Sequence, residues 1–295
     1  MQEYLQRIMT YLDFPAEAVA ALLADYRRLT DCPQGAEALG TWVEAYGRDI
    51  HMDYAAALKA VEEAAETAGV HRYAAGMLLY LCLTRHLGEL YRERGLDEKI
   101  YRDSCSDLLW KLRECHGMYG VWGTFVAWWE PGFYALTRYA LGRLQFELVD
   151  FPAGYREPPQ GMTRAINVHI PSCGRLRREE YLDSYRQAAR FFADAFPGEE
   201  VEFTCSSWML FPPNRQLLGP TMSSLRLERA TGISGGSSAG NMTAIPLCWE
   251  RRPVCAGRTG RGWLTATKPA GDRGYSSCER SRQIYNNNVV SGAAC

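Results

Sequence analysis

Apolar residues recur every three or four positions through the first third of the chain, and every second position in three short stretches after residue 142. The first spacing predicts amphipathic helices and the second half-buried strands. The run AEAVAALLADYRRL follows Asp13, Phe14 and Pro15, so a helix is expected to start there, with proline in its first turn and Asp13 in the cap region. DYAAALKAVEEAAETAG, from Asp53, predicts a second helix closed by Gly69 as C′ glycine. His71 to Gly95 places Leu79, Cys82, Leu83, His86, Leu87 and Leu90 on one stripe, and Asp97 to Cys115 carries Ile100, Leu108, Leu109 and Leu112. Residues 1–115 therefore read as an α-helical domain.

Strand periodicity follows. Leu144, Phe146 and Leu148 alternate with Arg143, Gln145 and Glu147 in the stretch 142–150. Ile166, Val168 and Ile170 alternate with Asn167 and His169, and Val201, Phe203 and Cys205 with Glu202, Thr204 and Ser206. Between the last two lies a helical stripe of Leu182, Tyr185, Ala189, Phe192 and Phe196, predicting a helix from about Leu176 to Phe196. Strand, helix, strand of these lengths predicts a βαβ unit with parallel strands. The expected class is α+β: a helical N-terminal domain, an α/β domain with a mixed sheet over 116–220, and an irregular tail over 221–295.

Composition sharpens the last boundary. From Thr221 to Cys295 there are ten lysines and arginines against four acids, no phenylalanine, and no sustained period; GISGGSSAGN and GRTGRGW have linker composition. No alternating strand is expected after Pro220, and the segment reads either as a low-order tail or as the product of a displaced reading frame. The whole chain of 295 residues carries a formal charge of −1, which gives no bulk attraction to nucleic acid or to an acidic membrane. It shows no secretion signal and no apolar run long enough to span a bilayer, so a cytoplasmic location without membrane or nucleic-acid partners is expected. Its ten cysteines include no CxxC pair. They are expected to be reduced thiols, with no metal site.

Two stretches carry candidate chemistry. Residues 118–139 crowd Trp122, Phe125, Trp128, Trp129, Phe133 and Tyr134 together, either as a core seam or as a wall for an apolar substrate. At the junction after His169, Ser172, Cys173, Gly174, Arg175 and Arg177 lie where a strand gives way to a helix. Exposed backbone N–H groups, a glycine and arginines suit phosphate or diphosphate. A plain turn capped by Ser172, with solvated arginines, is the competing reading. Glu179 and Glu180 weigh toward it, because they already complement the helix dipole.

The segments WGTFVAWWEPGFY, GRLQFEL, NVHIPS, SYRQAARFF, FTCSSWML and FPPNRQLLGP together resemble bacterial acyltransferase-domain proteins. These pair a helical N-acyltransferase N-terminal domain with a GNAT-like C-terminal domain. The resemblance spans roughly residues 1–220. It implies an acetyl-CoA or other acyl-CoA donor, bound where a mixed sheet splits, and does not identify the acceptor, which is expected to be an amine. The loop at 172–176 has one glycine where the family's diphosphate loop usually has two small residues. Gly257–Gly262 fits that loop pattern except at its first place, but no strand pattern precedes it.

On that resemblance Ser172, Cys173, Gly174, Arg175 and Arg177 are expected to hold the donor. His169 is the expected base and Glu147 the second candidate, since acyl transfer to an amine requires proton removal near neutral pH. Trp128 and Trp208 are expected to line the substrate pocket. His169 is alternatively a hydrogen-bonded interior histidine, and Glu147 an arginine-paired surface residue. Cys173, near a helix start where a thiol's pKa is lowered, and Cys205 raise a covalent route. Two other function classes stay open: a catalytically inactive CoA- or partner-binding protein, and a nucleotide-binding protein using the same turn.

Overall fold

The computed structural model describes residues 1–151, 163–196, 200–205 and 243–248. Eight helices come first: α1 (Gln2–Tyr11), α2 (Ala16–Asp31), α3 (Pro33–Arg48), α4 (Tyr54–Thr67), α5 (Arg72–Glu93), α6 (Glu98–Cys105), α7 (Asp107–Tyr119) and the single turn α8 (Pro131–Tyr134). The boundaries are local chemistry. Asp53 accepts the Ala56 N–H, His71 that of Tyr73 and Asp97 that of Lys99, each satisfying an orphan donor of the first turn. Gly69 closes α4 at φ +64°, with its own N–H on the Glu66 carbonyl and the Val70 N–H on that of Ala65. That pair of bonds is the Schellman arrangement, which a side chain at Gly69 would strain. Asp13 does not cap α2. Pro15 holds the N-cap position, and the Asp13 carboxylate instead pairs with Arg102 at 2.8 Å.

α5 is the axis of this part. Thirteen of its residues are buried, from Ala74 to Tyr91. A helix apolar nearly all round is one surrounded by others, and α1, α2, α3, α4 and α6 all pack on it. Leu78, Leu79, Leu81 and Leu83 are wholly inaccessible.

The sheet follows: β1 (Arg138–Leu141), β2 (Leu144–Asp150), β3 (Arg164–His169), β4 (Glu200–Cys205) and β5 (Thr243–Cys248), in that spatial order. β1, β2 and β3 run antiparallel in turn, β3 and β4 run parallel, and β4 and β5 antiparallel. The helix between the parallel strands is α9 (Arg178–Phe191), so the expected βαβ unit is present, its helix starting two residues later than the periodicity suggested. The expectation that no strand follows Pro220 fails at one place. Thr243–Cys248 pairs with β4 over its whole length. Its ladder partners, from Cys205 opposite Thr243 to Glu200 opposite Cys248, lie far upstream, a relation with no local signature.

Register sorts the sheet's two faces. Tyr139, Phe146, Val168 and Phe203 fall on one side, where Tyr185 of α9 meets Phe146 and Phe203 edge-on at 5.8 and 4.9 Å. That face is an ordinary apolar core. Arg138, Gln145, Glu147, Asn167, His169 and Thr204 fall on the other side, and it is turned toward α7 and the aromatic segment rather than toward solvent.

Candidate active site

A buried polar sheet face needs its own explanation, because each ion withdrawn from water costs several kcal/mol unless paired. Here the pairing is dense. Glu147 and Arg138 are cross-strand partners, and Arg138 Nη2 donates to Glu147 Oε2 at 3.0 Å. Arg138 Nη1 donates to the Trp129 carbonyl at 2.8 Å, and its guanidinium lies over the Trp129 ring 3.7 Å from the centroid. His169, on the next strand, places Nε2 3.2 Å from the same Glu147 oxygen, with the Asn167 amide 3.3 Å away. The Trp129 ring stands edge-on to the imidazole at 4.8 Å.

The electrostatics separate the two residues. Burial alone would raise the Glu147 carboxyl, but the His169 hydrogen bond and the Arg138 charge outweigh it and hold it at about 2. Glu147 is thus ionised and accepts only. His169 is shifted the other way. Burial pushes its pKa below the usual imidazole value, opposed by the Glu147 hydrogen bond and assisted by the Arg138 charge. A neutral imidazole whose Nε2 faces a carboxylate carries its hydrogen there. Nδ1 is left with a lone pair.

Beneath this pair lies a second polar layer. Asp107, at the start of α7, accepts from Gln145 Nε2 at 2.5 Å. Glu130 is buried beside it, and burial, with the Asp107 charge next, raises its carboxyl well above the usual range against the opposing Lys111 and Arg138 charges. Lys111 and Glu114, further along α7, pair at 3.2 Å. Asp107, Lys111 and Glu114, spaced 4 and 3, form one polar stripe on α7.

The junction after β3 is the third component. β3 and β4 are in register only at Ile166–Phe203 and Asn167–Thr204, so the parallel ladder stops two residues before His169. In α/β sheets the space beyond the C-terminal ends of parallel strands is where ligands bind. Ser172, Gly174, Arg175 and Arg177 are exposed there and Cys173 is half-buried. Ser172 does not cap α9, which starts at Arg178 without a side-chain cap. Its hydroxyl donates instead to Glu114 of α7. Arg177 lies 3.7 Å from Glu180. The expectation of a lowered Cys173 pKa is not met: burial raises that thiol, and raises Cys205 to about 12. Neither presents the thiolate a covalent route requires.

The aromatic stretch divides. Phe133 and Tyr134 are core, with the Tyr134 hydroxyl donating to the Tyr80 carbonyl at 2.9 Å. Trp128 is 51% exposed, edge-on to Trp129 at 6.2 Å. Trp208, Ser206 and Ser207 lie outside the described residues. A cavity of about 690 Å³ opens between α1, α5 and α6, lined by Tyr4, Tyr11, Thr84 and Tyr101. It touches none of the polar face, so chemistry rather than volume marks the site.

Residues 3–136 match the N-acyltransferase N-terminal domain, and residues 138–229 match the GNAT-like C-terminal domain. The chain pairs these two domains. Its solved structural neighbours include an acyltransferase in complex with decanoyl-CoA, 25% identical at a TM-score of 0.56, covering 76% of this chain and 68% of its own. Another is an acyltransferase mutant in complex with octanoyl-CoA, 21% identical, TM-score 0.60, covering 80% and 71%. An acyltransferase in complex with decanoyl-CoA and teicoplanin is 20% identical, TM-score 0.59, covering 79% and 70%. None of the curated proteins matches the chain.

Sequence reasoning named Glu147 and His169 as candidates but did not name Arg138, Asp107 and Glu130, which the structure places around them. The N-acyltransferase domain supplies Asp107 and Glu130, and the GNAT-like domain supplies the other three. The Gly142-Arg143 dipeptide between YAL and LQFEL was the available signal for β1: glycine at the first position of a two-residue hairpin turn. Gly142 has φ +75°, as that turn requires.

Proposed function

We propose that the protein transfers an acyl group from acyl-CoA to an amine acceptor. The observation that carries this reading is the His169 imidazole at the end of β3, its Nε2 3.2 Å from the Glu147 carboxylate; burial favours its neutral form, and in the tautomer that donates Nε2–H to Glu147 the proton acceptor is Nδ1. The complexes of its structural neighbours with decanoyl-CoA and octanoyl-CoA support a donor of that class.

In this reading the loop of Ser172, Cys173, Gly174, Arg175 and Arg177 receives the donor's diphosphate through backbone N–H groups and guanidinium charge. Trp128 and Trp129 flank the acyl chain, and Trp208 belongs to the acceptor side. The amine nitrogen attacks the thioester carbonyl and loses a proton to His169 Nδ1. The C–N bond forms, the C–S bond breaks, and the thiolate of CoA leaves and takes up that proton. Glu147 is a positioning residue, keeping the imidazole in the competent tautomer and steadying the imidazolium.

Binding is tested by thermal shift with CoA, decanoyl-CoA and ATP. A ligand at 100 times its Kd stabilises by about 2.7 kcal/mol. CoA species are expected to raise Tm and ATP not to. Absence of any response to CoA species would sink the reading. Turnover is followed as thiol release across a panel of amines, including glycopeptide aglycones chosen for the teicoplanin complex of one neighbour.

A further inference from the structure

The hairpin turn between β1 and β2 reaches the donor loop. Arg143 Nη1 donates to the Pro171 carbonyl at 3.1 Å, and Nη2 donates to the Gly174 carbonyl at 2.6 Å. Its backbone is anchored separately. The Arg143 N–H donates to Ser184 Oγ at 2.7 Å, and that hydroxyl donates to the Glu180 carbonyl in the first turn of α9. A side chain at Gly142 would come within 2.7 Å of the same Ser184 oxygen, so the turn sits tight against the helix. Arg143 thus brackets the loop and the helix that follows it.

The geometry points to Arg143 as a positioning residue for the donor, an inference that rests on the donor-loop reading proposed above. A trans peptide is planar, with its N–H directed opposite its carbonyl. Drawing the Pro171 and Gly174 carbonyls onto one guanidinium turns the Ser172 and Arg175 N–H groups to the opposite side. Both residues are exposed, and neither N–H is used within the described residues. Gly174, at φ +97°, gives the backbone the freedom to present both carbonyls to one fork. In this assignment Arg143 works from behind the loop, each terminal nitrogen donating to a loop carbonyl and Nε buried without a partner among the described residues. It acts through the loop, fixing amides that would otherwise have to be ordered when a diphosphate arrives.

The test compares transfer from acyl-CoA with transfer from the matching acyl-N-acetylcysteamine thioester, which lacks the diphosphate. The full-length protein carries Arg143→Gln or Arg143→Lys. In Arg143→Gln the ratio of kcat/KM for acyl-CoA to kcat/KM for the short thioester is expected to fall by about tenfold or more, as for one lost charge-assisted hydrogen bond. The loss should appear in KM for acyl-CoA. Arg143→Lys is expected to lose about threefold, because an ammonium on a flexible stem does not fork across two carbonyls. An unchanged ratio overturns the assignment. So does an equal loss on both donors, which marks a residue that merely supports the fold. Should Arg143→Gln fail to fold, the ratio for Arg143→Lys decides alone. A wild-type protein that neither binds nor uses acyl-CoA removes the donor reading itself, a failure visible before any variant is made.

Discussion

Arg138 reaches Glu147 across the β1–β2 pair at 3.0 Å while its second terminal nitrogen holds the Trp129 carbonyl. One guanidinium therefore joins the sheet to the aromatic segment and fixes the carboxylate that orients His169. Truncating it leaves a half-buried carboxylate without its cation. Arg138→Met is expected to lower stability by about 3–5 kcal/mol, the usual cost of breaking a buried pair from one side. Urea unfolding at pH 7 measures it, and a loss below about 1 kcal/mol would put the pair in the class of exposed ion pairs.

His169→Ala is expected to lower kcat by about 10²–10⁴-fold, the range for a general base, while CoA binding by thermal shift is retained. The wild-type pH profile carries its own check. The active form is the neutral imidazole, and burial lowers its pKa from 6.5. The acid limb of kcat/KM should therefore fall below pH 6.5. A limb above that value, or turnover unaffected in His169→Ala, removes His169 from the mechanism.

Glu130 makes a prediction of opposite sign to most carboxylates. Its folded pKa is raised above the ordinary 4.5, chiefly by burial and then by Asp107, with Lys111 and Arg138 opposing. The folded state thus holds a proton that the unfolded state releases. Stability is full below about pH 4.5 and declines as pH rises through the folded value. Glu130→Gln keeps the neutral shape without the titration. Its Tm should gain on the wild type steadily from pH 5 to pH 9, whereas parallel curves would show that Glu130 is not the titrating group.

Trp128→Ala should leave Tm nearly unchanged, since the ring is half exposed. With the ring along the acyl chain, KM for decanoyl-CoA should rise by about tenfold, as burial of ~50 Å² of apolar surface at about 28 cal/mol per Å² is worth ~1.4 kcal/mol. KM for acetyl-CoA should change little. Equal effects on both donors would place Trp128 away from the chain.

Helices α2, α4, α5 and α9, the strand-helix-strand unit and the glycine at the end of α4 were legible in the sequence, because spacing, caps and turn residues act over a few positions; α1 and α3 were not named, and the single helix expected over Asp97–Cys115 is two, α6 and α7, meeting at Ser106. Alternation also identified Glu147 and His169 as polar members of their strands. β1 escaped because Arg138–Leu141 is buried at all four positions and so shows no alternation. β5 escaped because its partner strand lies far away along the chain.

By itself, then, the sequence determined which residues share a face within each helix or strand. Tertiary structure decided which faces meet. Strand register set Arg138, Glu147 and His169 side by side, and packing of α7 against that face brought Asp107 and Glu130 beneath them. Periodicity is a local property of the backbone, whereas register and packing are settled by contacts between distant residues, and the pKa shifts that set the two candidates apart arise only from those contacts.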